Sequence, residues 1–152
     1  GNGVERILQN TPMGAHLLGL DLLKHEQKHI IRAAQEGIVA ALTFGFRIMK
    51  DMGMDLKTVK AGHANMFLSP IFRQTFVQMN QVNLELYDTD GAQGAARGAG
   101  IGAGIFSTEE EAFHGLTLLQ TLAPDPTTAD RYEEAYQHWL SRLEQLRQPL
   151  TA

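Results

Sequence analysis

Hydrophobic residues recur at intervals of three and four between His25 and Met52, which is the spacing of one face of an α-helix. Gly53 follows directly, and glycine commonly ends helices. The pattern predicts one long helix after a lead-in of loops over residues 1–24. Its apolar stripe consists of Ile30, Ile31, Ala34, Ile38, Ala41, Leu42 and Ile48.

A strand, a turn and a helix are predicted next. Residues 56–61 are typical of a short strand that enters a turn at residues 62–63. Ser69 and Pro70 indicate a helix start, because serine caps the first free N–H groups and proline fits the first helical position. The helix is expected to run to about Asn80. Its buried side would consist of Ile71, Phe72, Phe76 and Met79.

A second strand is predicted over residues 82–87, where apolar and polar residues alternate, and a turn over residues 88–91. The following segment, residues 91–106, consists almost wholly of glycine and alanine. On a helix, glycines spaced four apart form a face with almost no side chain, and each costs about 1 kcal/mol relative to alanine. We therefore expect another helix, a strand or a ligand to approach such a face closely. One face consists of Gly94, Gly98 and Gly102, and another of Ala96, Gly100 and Gly104.

Two more helices are predicted in the last third of the chain. Residues 108–111, Thr-Glu-Glu-Glu, form a capping box that opens a short one, and Pro124 and Pro126 break the chain before the last. Several helices with two strands indicate an α/β chain. Because two strands alone make a marginal sheet, either they are parallel and separated by a helix, or further strands precede residue 1. The last helix is amphipathic, with Tyr132, Tyr136, Trp139, Leu140, Leu143 and Leu146 on its apolar side.

Composition narrows the classes of function. The 152 residues are 43% hydrophobic and 20% charged, the formal net charge is −4, and no stretch concentrates Lys and Arg. These features argue against nucleic-acid binding and against a membrane-surface patch. The chain has no cysteine, which excludes disulfides, thiol chemistry and Cys-ligated zinc and suits a cytoplasmic protein. Since the sequence starts with Gly1 and not with methionine, we expect it to be part of a longer protein.

Three segments, in this order, resemble the FGGY family of carbohydrate kinases. Residues 29–38, His-Ile-Ile-Arg-Ala-Ala-Gln-Glu-Gly-Ile, resemble that family's helix with an Arg-Ala-x-x-Glu-Gly-Ile core. Residues 61–74 resemble its adenosine motif, in which a Gly-Gly turn precedes Ser-Pro-x-aromatic-Arg-Gln. Residues 91–106 resemble its Gly-Ala-Ala helix and the Gly-aromatic sequence after it. The Pro-x-Pro at residues 124–126 and the Tyr-rich last helix match the family's usual ending, so the resemblance covers nearly the whole chain.

The resemblance implies a helix-rich α/β fold that is part of an actin-like (ribonuclease H-like) ATPase domain. Residues 1–152 would be the C-terminal, nucleotide-binding domain of an ATP-dependent sugar kinase that uses ATP and Mg²⁺. The sugar substrate and the catalytic Asp would belong to an N-terminal domain outside this chain, so the chain alone would lack kinase activity. D-xylulose is the expected sugar, because residues 1–6 and 62–67 resemble xylulokinase-like members more than glycerol kinases. A homodimer is one assembly open to it.

The adenosine motif assigns the expected nucleotide contacts to Gly62, His63, Ala64, Asn65 and Ser69. A turn of small residues lets the backbone approach a nucleotide closely, and a helix N-terminus offers N–H groups to its oxygens. His63 stands where the family has its second glycine, and the stretch from Ala64 to Ser69 is longer than usual. The side chain of His63 is therefore expected either to crowd the nucleotide or to stack on its base.

The sequence leaves two other functions open beside the kinase. One is a non-catalytic interaction module that docks through the Gly/Ala face, and nucleotide binding would separate it from the kinase. The other is a zinc protease, because residues 25–29, His-Glu-Gln-Lys-His, satisfy the His-Glu-x-x-His pattern. In that pattern two histidines one turn apart share the metal and the glutamate is the base. Lys28 beside the metal face and the lack of a third ligand signal argue against the protease, so no metal site is expected in the chain.

Overall fold

The computed structural model describes residues 14–147, in which every predicted helix and both predicted strands are present, with ends shifted by a few residues. The predicted lead-in is loop and turn over residues 14–26, and its first part, residues 1–13, lies outside the described residues. Two short 3₁₀ turns cover Asn65–Leu68 and Pro126–Thr128. The helices are α1 (Gln27–Asp51), α2 (Pro70–Asn80), α3 (Gly91–Gly102), α4 (Glu109–Phe113) and α5 (Ala129–Arg147), and the strands are β1 (Thr58–Gly62), β2 (Asn83–Tyr87) and β3 (Leu118–Leu122).

The three strands form one sheet in the order β1-β2-β3. β1 and β2 are parallel and in register from the pair Thr58 and Asn83 to the pair Gly62 and Tyr87. Parallel neighbours need a long crossover, and α2 supplies it. The sequence left open whether the two strands are parallel or need partners upstream, and the structure confirms the parallel arrangement.

The third strand was not predicted. β3 runs antiparallel to β2, with a register shift where Leu118 faces Tyr87. Four of its five residues are exposed and only Leu122 is half-buried. A strand that is open to solvent on both faces has no need to alternate apolar and polar residues, so the signal used to find strands is absent here.

The core lies between the sheet and the helices α1, α2 and α5. Leu84 and Leu86 of β2 are fully buried and face Phe72 and Phe76 of α2 in the same cluster. Phe46 of α1 packs edge-on against Phe76, with ring centroids 5.4 Å apart. The cluster is completed by Val39, Ala40, Val77, Met79, Val82 and Tyr136. Of the four residues predicted to form the buried side of α2, three are buried and Ile71 is exposed.

Helix α1 buries a different face from the one marked by its apolar stripe. Val39, Ala40 and Thr43 are almost inaccessible, and they are the residues that meet the core. Ile38 keeps 46% of its surface exposed and Leu42 keeps 42%. The buried line is rotated by one residue, about 100° around the helix, from the stripe that the spacing marks. The helix therefore carries apolar residues on two sides, of which one is covered within the described part of the chain.

The expectation that a helix or strand packs on the glycine face of α3 (Gly94, Gly98 and Gly102) is wrong within the described residues, whereas approach by a ligand stays a prediction. A Cβ built on Gly94, Gly98 or Gly102 meets no atom within 4 Å, so this face is open. The close approach is at Gly100, where a Cβ would lie 2.6 Å from the ring of Phe106. The chain folds back after the helix and its own aromatic ring takes the space that the missing side chain leaves.

The last two helices begin and pack largely as predicted. At α4, the Thr108 hydroxyl accepts from the Glu111 N–H at 3.1 Å, but the Glu111 carboxylate accepts from Ser107 and not from Thr108. Only half of the predicted capping box is therefore present. Helix α5 buries Tyr136, and the guanidinium of Arg47 from α1 lies 4.2 Å from the centroid of that ring. None of the described helices is long and apolar enough to cross a membrane.

Candidate functional site

The loops that follow β1 and β2 start side by side, because parallel strands end at the same edge of a sheet. The His63 N–H donates to the carbonyl of Tyr87 at 2.9 Å, which adds one hydrogen bond after the last residue of β1. The Thr89 N–H folds back to the same carbonyl at 2.8 Å. In open α/β sheets, ligands bind outside the carboxyl ends of the strands. This edge is therefore the candidate ligand-binding site.

Gly62 is the closest point between the two loops. A Cβ at this position would collide with the carbonyl oxygen of Thr89 and would lie 3.2 Å from the Cα atom of Asp90. Both neighbours are backbone atoms, which cannot turn aside as a side chain can. The glycine is thus required by the packing of the two strand ends, whatever lies outside them.

The turn after Gly62 is short, and a backbone hydrogen bond and an inward-facing aromatic ring stabilise it. The Ala64 N–H donates to the carbonyl of Gly62 at 2.8 Å, and Asn65 then takes a left-handed conformation with φ +52°. Asparagine tolerates this region better than most residues. The side chain of Phe67 points inward and meets the ring of Phe72 edge-on at 5.3 Å. The turn thereby has a fixed shape.

The side chain of His63 is exposed, but its ring is fixed. Its Nε2 lies 3.1 Å from Nη1 of Arg73, on the first turns of α2. A guanidinium has donors and no acceptor, so the imidazole nitrogen accepts this hydrogen bond and the neutral ring carries its proton on Nδ1. The ring of His63 is thus hydrogen-bonded to α2, and the backbone of His63 is hydrogen-bonded to β2.

Ser69 has the predicted role of helix cap and a second contact that was not predicted. Its hydroxyl oxygen accepts from the N–H of Phe72, at 3.5 Å, and its O–H donates to Oε1 of Gln35 in α1 at 2.6 Å. The hydroxyl therefore ties the start of α2 to α1. Because that hydrogen is already used, the Ser69 hydroxyl places the turn and keeps only acceptor capacity for a ligand.

A groove of about 580 Å³ opens at the same edge, between the strand ends and α3 and α4. Of the five residues predicted to bind a nucleotide, it includes Gly62, and the other four lie on the turn beside it. The remaining lining residues were not predicted as site residues, although the turn at 88–91 directly after a parallel strand is a signal that could have found some of them. They are Lys60, Ala61, Tyr87, Thr89, Asp90, Gly91, Gly94, Glu109, Glu110, Phe113 and Leu116.

The charges along the groove are mainly negative. Asp90, Glu109 and Glu110 face it and Lys60 is its one cationic residue. Asp90 caps α3 by accepting from the Gln93 N–H at 2.8 Å. Carboxylates repel phosphate and accept hydrogen bonds from hydroxyl groups. The groove is therefore better suited to a polyol or ribose than to a phosphate chain.

Tyr87 also lines the groove, and its phenol is held by a hydrogen bond. Its O–H donates to Oε2 of Glu85 at 2.7 Å. This hydrogen bond, together with burial and the negative charge of Glu85, raises the pKa of Tyr87 above its ordinary value. The tyrosine therefore stays a neutral donor at neutral pH.

The two histidines of the His-Glu-x-x-His sequence are used locally. Nδ1 of His25 accepts from the Asp21 N–H at 2.9 Å, and Nδ1 of His29 accepts from the Glu26 N–H at 3.0 Å. Within residues 14–147, no group of three His, Cys, Asp or Glu side chains is placed to hold a metal ion. The third ligand that a zinc protease needs is thus not supplied by this part of the chain.

Comparison with known proteins gives a likeness in structure. No family model matches the sequence, and no curated protein matches it either. The fold is similar to that of xylulose kinase from Rhodospirillum rubrum, with a TM-score of 0.72 and 22% identity over 90% of this chain. It is also similar to a xyloylose kinase from Brucella ovis (TM-score 0.69, 20% identity, 85% of this chain). A third is Plasmodium falciparum glycerol kinase, solved with ADP (TM-score 0.63, 20% identity, 87% of this chain).

These similarities confirm, at the level of the fold, the resemblance to FGGY carbohydrate kinases that the sequence motifs indicated. The described chain is a helix-rich α/β unit with a small sheet, as in those kinases. It spans 28% of the Rhodospirillum rubrum protein, 27% of the Brucella ovis protein and 26% of the Plasmodium falciparum protein. The shared fold therefore concerns about a quarter of each kinase.

Proposed function

We propose that this chain is the C-terminal, nucleotide-binding part of a cytoplasmic carbohydrate kinase with an actin-like ATPase architecture. The complete protein would transfer a phosphoryl group from ATP to a sugar, D-xylulose, which is held with the catalytic Asp in a domain outside this chain. The observation that carries the proposal is the similarity of the fold to sugar kinases, together with an open groove beside Gly62 at the carboxyl ends of β1 and β2. The proposed nucleotide-binding residues are Gly62, His63, Ala64, Asn65 and Ser69.

The geometry of the edge suits a nucleotide. Phosphoryl transfer requires positioning and charge stabilisation more than covalent participation of the protein. Gly62 and the turn to Ser69 offer a fixed surface of small and apolar groups to a base. The carboxylates of the adjoining groove, such as Asp90, can accept hydrogen bonds from ribose hydroxyls. The chain itself thus binds and orients ATP, and the proton of the sugar hydroxyl is taken elsewhere.

Mg²⁺ would arrive with the nucleotide. Mg²⁺ at phosphate sites keeps several waters and takes few protein ligands, so a dedicated cluster is not required. The described residues contain no such cluster. One or two carboxylates, from this chain or from the rest of the kinase, would be enough to hold the ion beside the phosphates.

The choice of D-xylulose rests on two observations. The sequence of residues 62–67 resembles xylulokinase-like members of the family, and two of the three named structures are of xylulose-type kinases with higher TM-scores than the glycerol kinase. The assay is phosphorylation of D-xylulose and of glycerol by the complete protein at equal ATP. Preference for glycerol would contradict the choice of sugar and leave the kinase assignment intact.

The test of the nucleotide role uses the 152-residue chain. We expect Mg²⁺-ATP to shift the NMR amide signals of residues 62–69 and 88–91 in a saturable way, while those of α5 residues 137–147 stay unchanged. We also expect no phosphorylation of D-xylulose by this chain alone. Sugar-dependent ADP formation by the chain would contradict the division of labour. A spectrum unaffected by ATP would contradict nucleotide binding and favour the non-catalytic interaction module.

A further inference from the structure

His63 is presented to solvent in a fixed orientation. Its N–H donates to the carbonyl of Tyr87 at 2.9 Å, and its ring nitrogen accepts from Arg73 at 3.1 Å. Exposed side chains normally rotate between several rotamers, and binding must then fix one of them. Here both the backbone and one edge of the ring are held before any ligand arrives. The side chain is otherwise exposed.

The turn around His63 is apolar. Residues 61–69 contain no Lys or Arg, and Met66 and Leu68 are exposed on the turn, with 37% and 56% of their surfaces accessible. Exposed apolar side chains on a rigid loop are typical of a ligand surface. The turn offers no cationic side chain to a phosphate. It offers one aromatic ring and two apolar side chains to the flat face of a base.

Arg73 is placed to hold the ring of His63. Its Nη1 is used by His63, and its Nε is enclosed by protein without a hydrogen-bond partner. The residue as a whole is only partly exposed. A guanidinium committed in this way contributes by fixing the tautomer and the plane of the imidazole.

We propose that the face of His63 stacks on the adenine base of ATP and that Arg73 is the positioning residue for its ring. The inference rests on the nucleotide-binding function proposed above and specifies the part of the ligand that this turn contacts. Of the two alternatives for His63 given by the sequence, this proposal favours stacking on the base over crowding of the nucleotide. Stacking of bases on aromatic side chains depends on the π-face and tolerates different bases, so other purine nucleotides should bind as well.

The experiment separates the base from the phosphates by titrating the 152-residue chain with adenosine and with inorganic tripolyphosphate. His63→Ala is expected to raise the Kd for adenosine and for ATP by about fivefold or more and to leave the tripolyphosphate affinity unchanged. His63→Phe, which keeps a ring, should retain adenosine affinity within about twofold. His138→Ala on α5 removes another exposed histidine and should change neither affinity.

The role of Arg73 is tested by a double-mutant cycle. Arg73→Met should weaken adenosine binding, and adding it to His63→Ala should produce no further loss, because it acts through the ring that is already absent. The ¹⁵N signals of His63 should report a neutral ring protonated on Nδ1 in the parent chain and a loss of that preference in Arg73→Met. Arg73→Lys serves in its place if the methionine variant melts at a lower temperature.

The outcomes distinguish failure of the stacking proposal from failure of the proposed nucleotide-binding function. If ATP does not bind to the parent chain, the proposed function is wrong. If ATP binds but His63→Ala leaves adenosine affinity unchanged or increases it, the ring does not stack and stacking is overturned alone. Loss of tripolyphosphate binding with retained adenosine binding would likewise overturn it, by showing that the residue contacts phosphate.

Discussion

Gly62 and Thr89 are packed backbone to backbone at the carboxyl ends of two parallel strands, with room for a hydrogen and none for a methyl group. We predict that Gly62→Ala lowers the free energy of unfolding by about 1–3 kcal/mol, because the added Cβ can be accommodated only by moving a loop. Urea unfolding of the 152-residue chain measures it. Unchanged stability would show that the two loops are further apart than described. Any loss of ATP affinity in this variant would follow from the displaced loop.

Gly98 provides the matched contrast. It lies within α3, and a Cβ there meets no atom within 4 Å. Gly98→Ala should therefore raise stability by about 0.5–1 kcal/mol, because it removes backbone freedom from the unfolded chain without a clash. Thermal unfolding of the two variants side by side gives the comparison. A lower melting temperature for Gly98→Ala would mean that the glycine face is packed after all.

Two adjacent residues of α1 test which face of the helix is buried. Val39 is 0% exposed and belongs to the core, whereas Ile38 is 46% exposed. Val39→Ala should cost about 2 kcal/mol through lost burial and the cavity left behind. Ile38→Ala should stay within about 0.5 kcal/mol, as exposed substitutions do. Equal losses at both positions would contradict the rotation of the helix and return Ile38 to the core.

The sequence predicted elements well where one face alone is apolar. The alternation in β2 and the Ser69-Pro70 start of α2 are both local signals, and both are confirmed. The buried face of α1 was harder to predict from the sequence, because apolar residues occur on two sides of the helix. Only the packing of α2 and α5 determines which side is buried. β3 could not be found from periodicity, since burial does not constrain its residues.

The local structure around the candidate site was predictable from the sequence, and the side-chain contacts were less so. The strand, turn and helix around Gly62 follow from the sequence, and so does the turn after β2. The pairing of His63 with Arg73 joins residues ten positions apart, and that of Ser69 with Gln35 joins residues 34 apart. Such contacts depend on the tertiary arrangement and leave no periodic signal. Gly62 shows the same point, since its steric partner is Thr89 and lies on the other strand's loop.

The ion pair between Arg47 and Glu133 predicts a pH dependence. The hydrogen bond from Arg47 is the main cause that lowers the pKa of Glu133 below its ordinary value of 4.5, and Gln137 adds a second donor at 2.8 Å. Because the folded-state pKa is the lower one, the stabilisation is complete above the ordinary value and is lost as pH falls through the folded value. The carboxylate is partly exposed, so the contribution should not exceed about 1 kcal/mol.

Glu133→Gln should accordingly lower stability at about pH 6 and have less effect at a second, lower pH at which the parent carboxyl has become protonated. Urea unfolding at the two pH values measures the difference. Glu134→Gln changes an exposed neighbour on the same helix and serves as the control for net charge. A loss that is equal at both pH values would indicate a packing effect and contradict the ion-pair explanation.

Asn65 links the shape of the turn to the proposed nucleotide site, and Gln81 offers a control for it. Both have left-handed backbones, with φ values of +52° and +53°, but Gln81 lies at the far end of α2. A β-branched side chain is strained in this region, so Asn65→Val and Gln81→Val should each cost about 1–3 kcal/mol in unfolding experiments. Glycine at either position should be tolerated, since it adopts this conformation freely.

The two valine variants should differ in ATP binding although their losses of stability are similar. Asn65→Val forces the backbone between His63 and Ser69 into another conformation. Because this displaces the groups that contact the nucleotide, the Kd for ATP should rise about tenfold or more. Gln81→Val should leave the Kd unchanged, because the strain lies at the opposite end of the helix. NMR titration of both variants with Mg²⁺-ATP measures this. Equal affinities in the two variants would mean that the turn is only a connection between β1 and α2, and that the nucleotide is held without it.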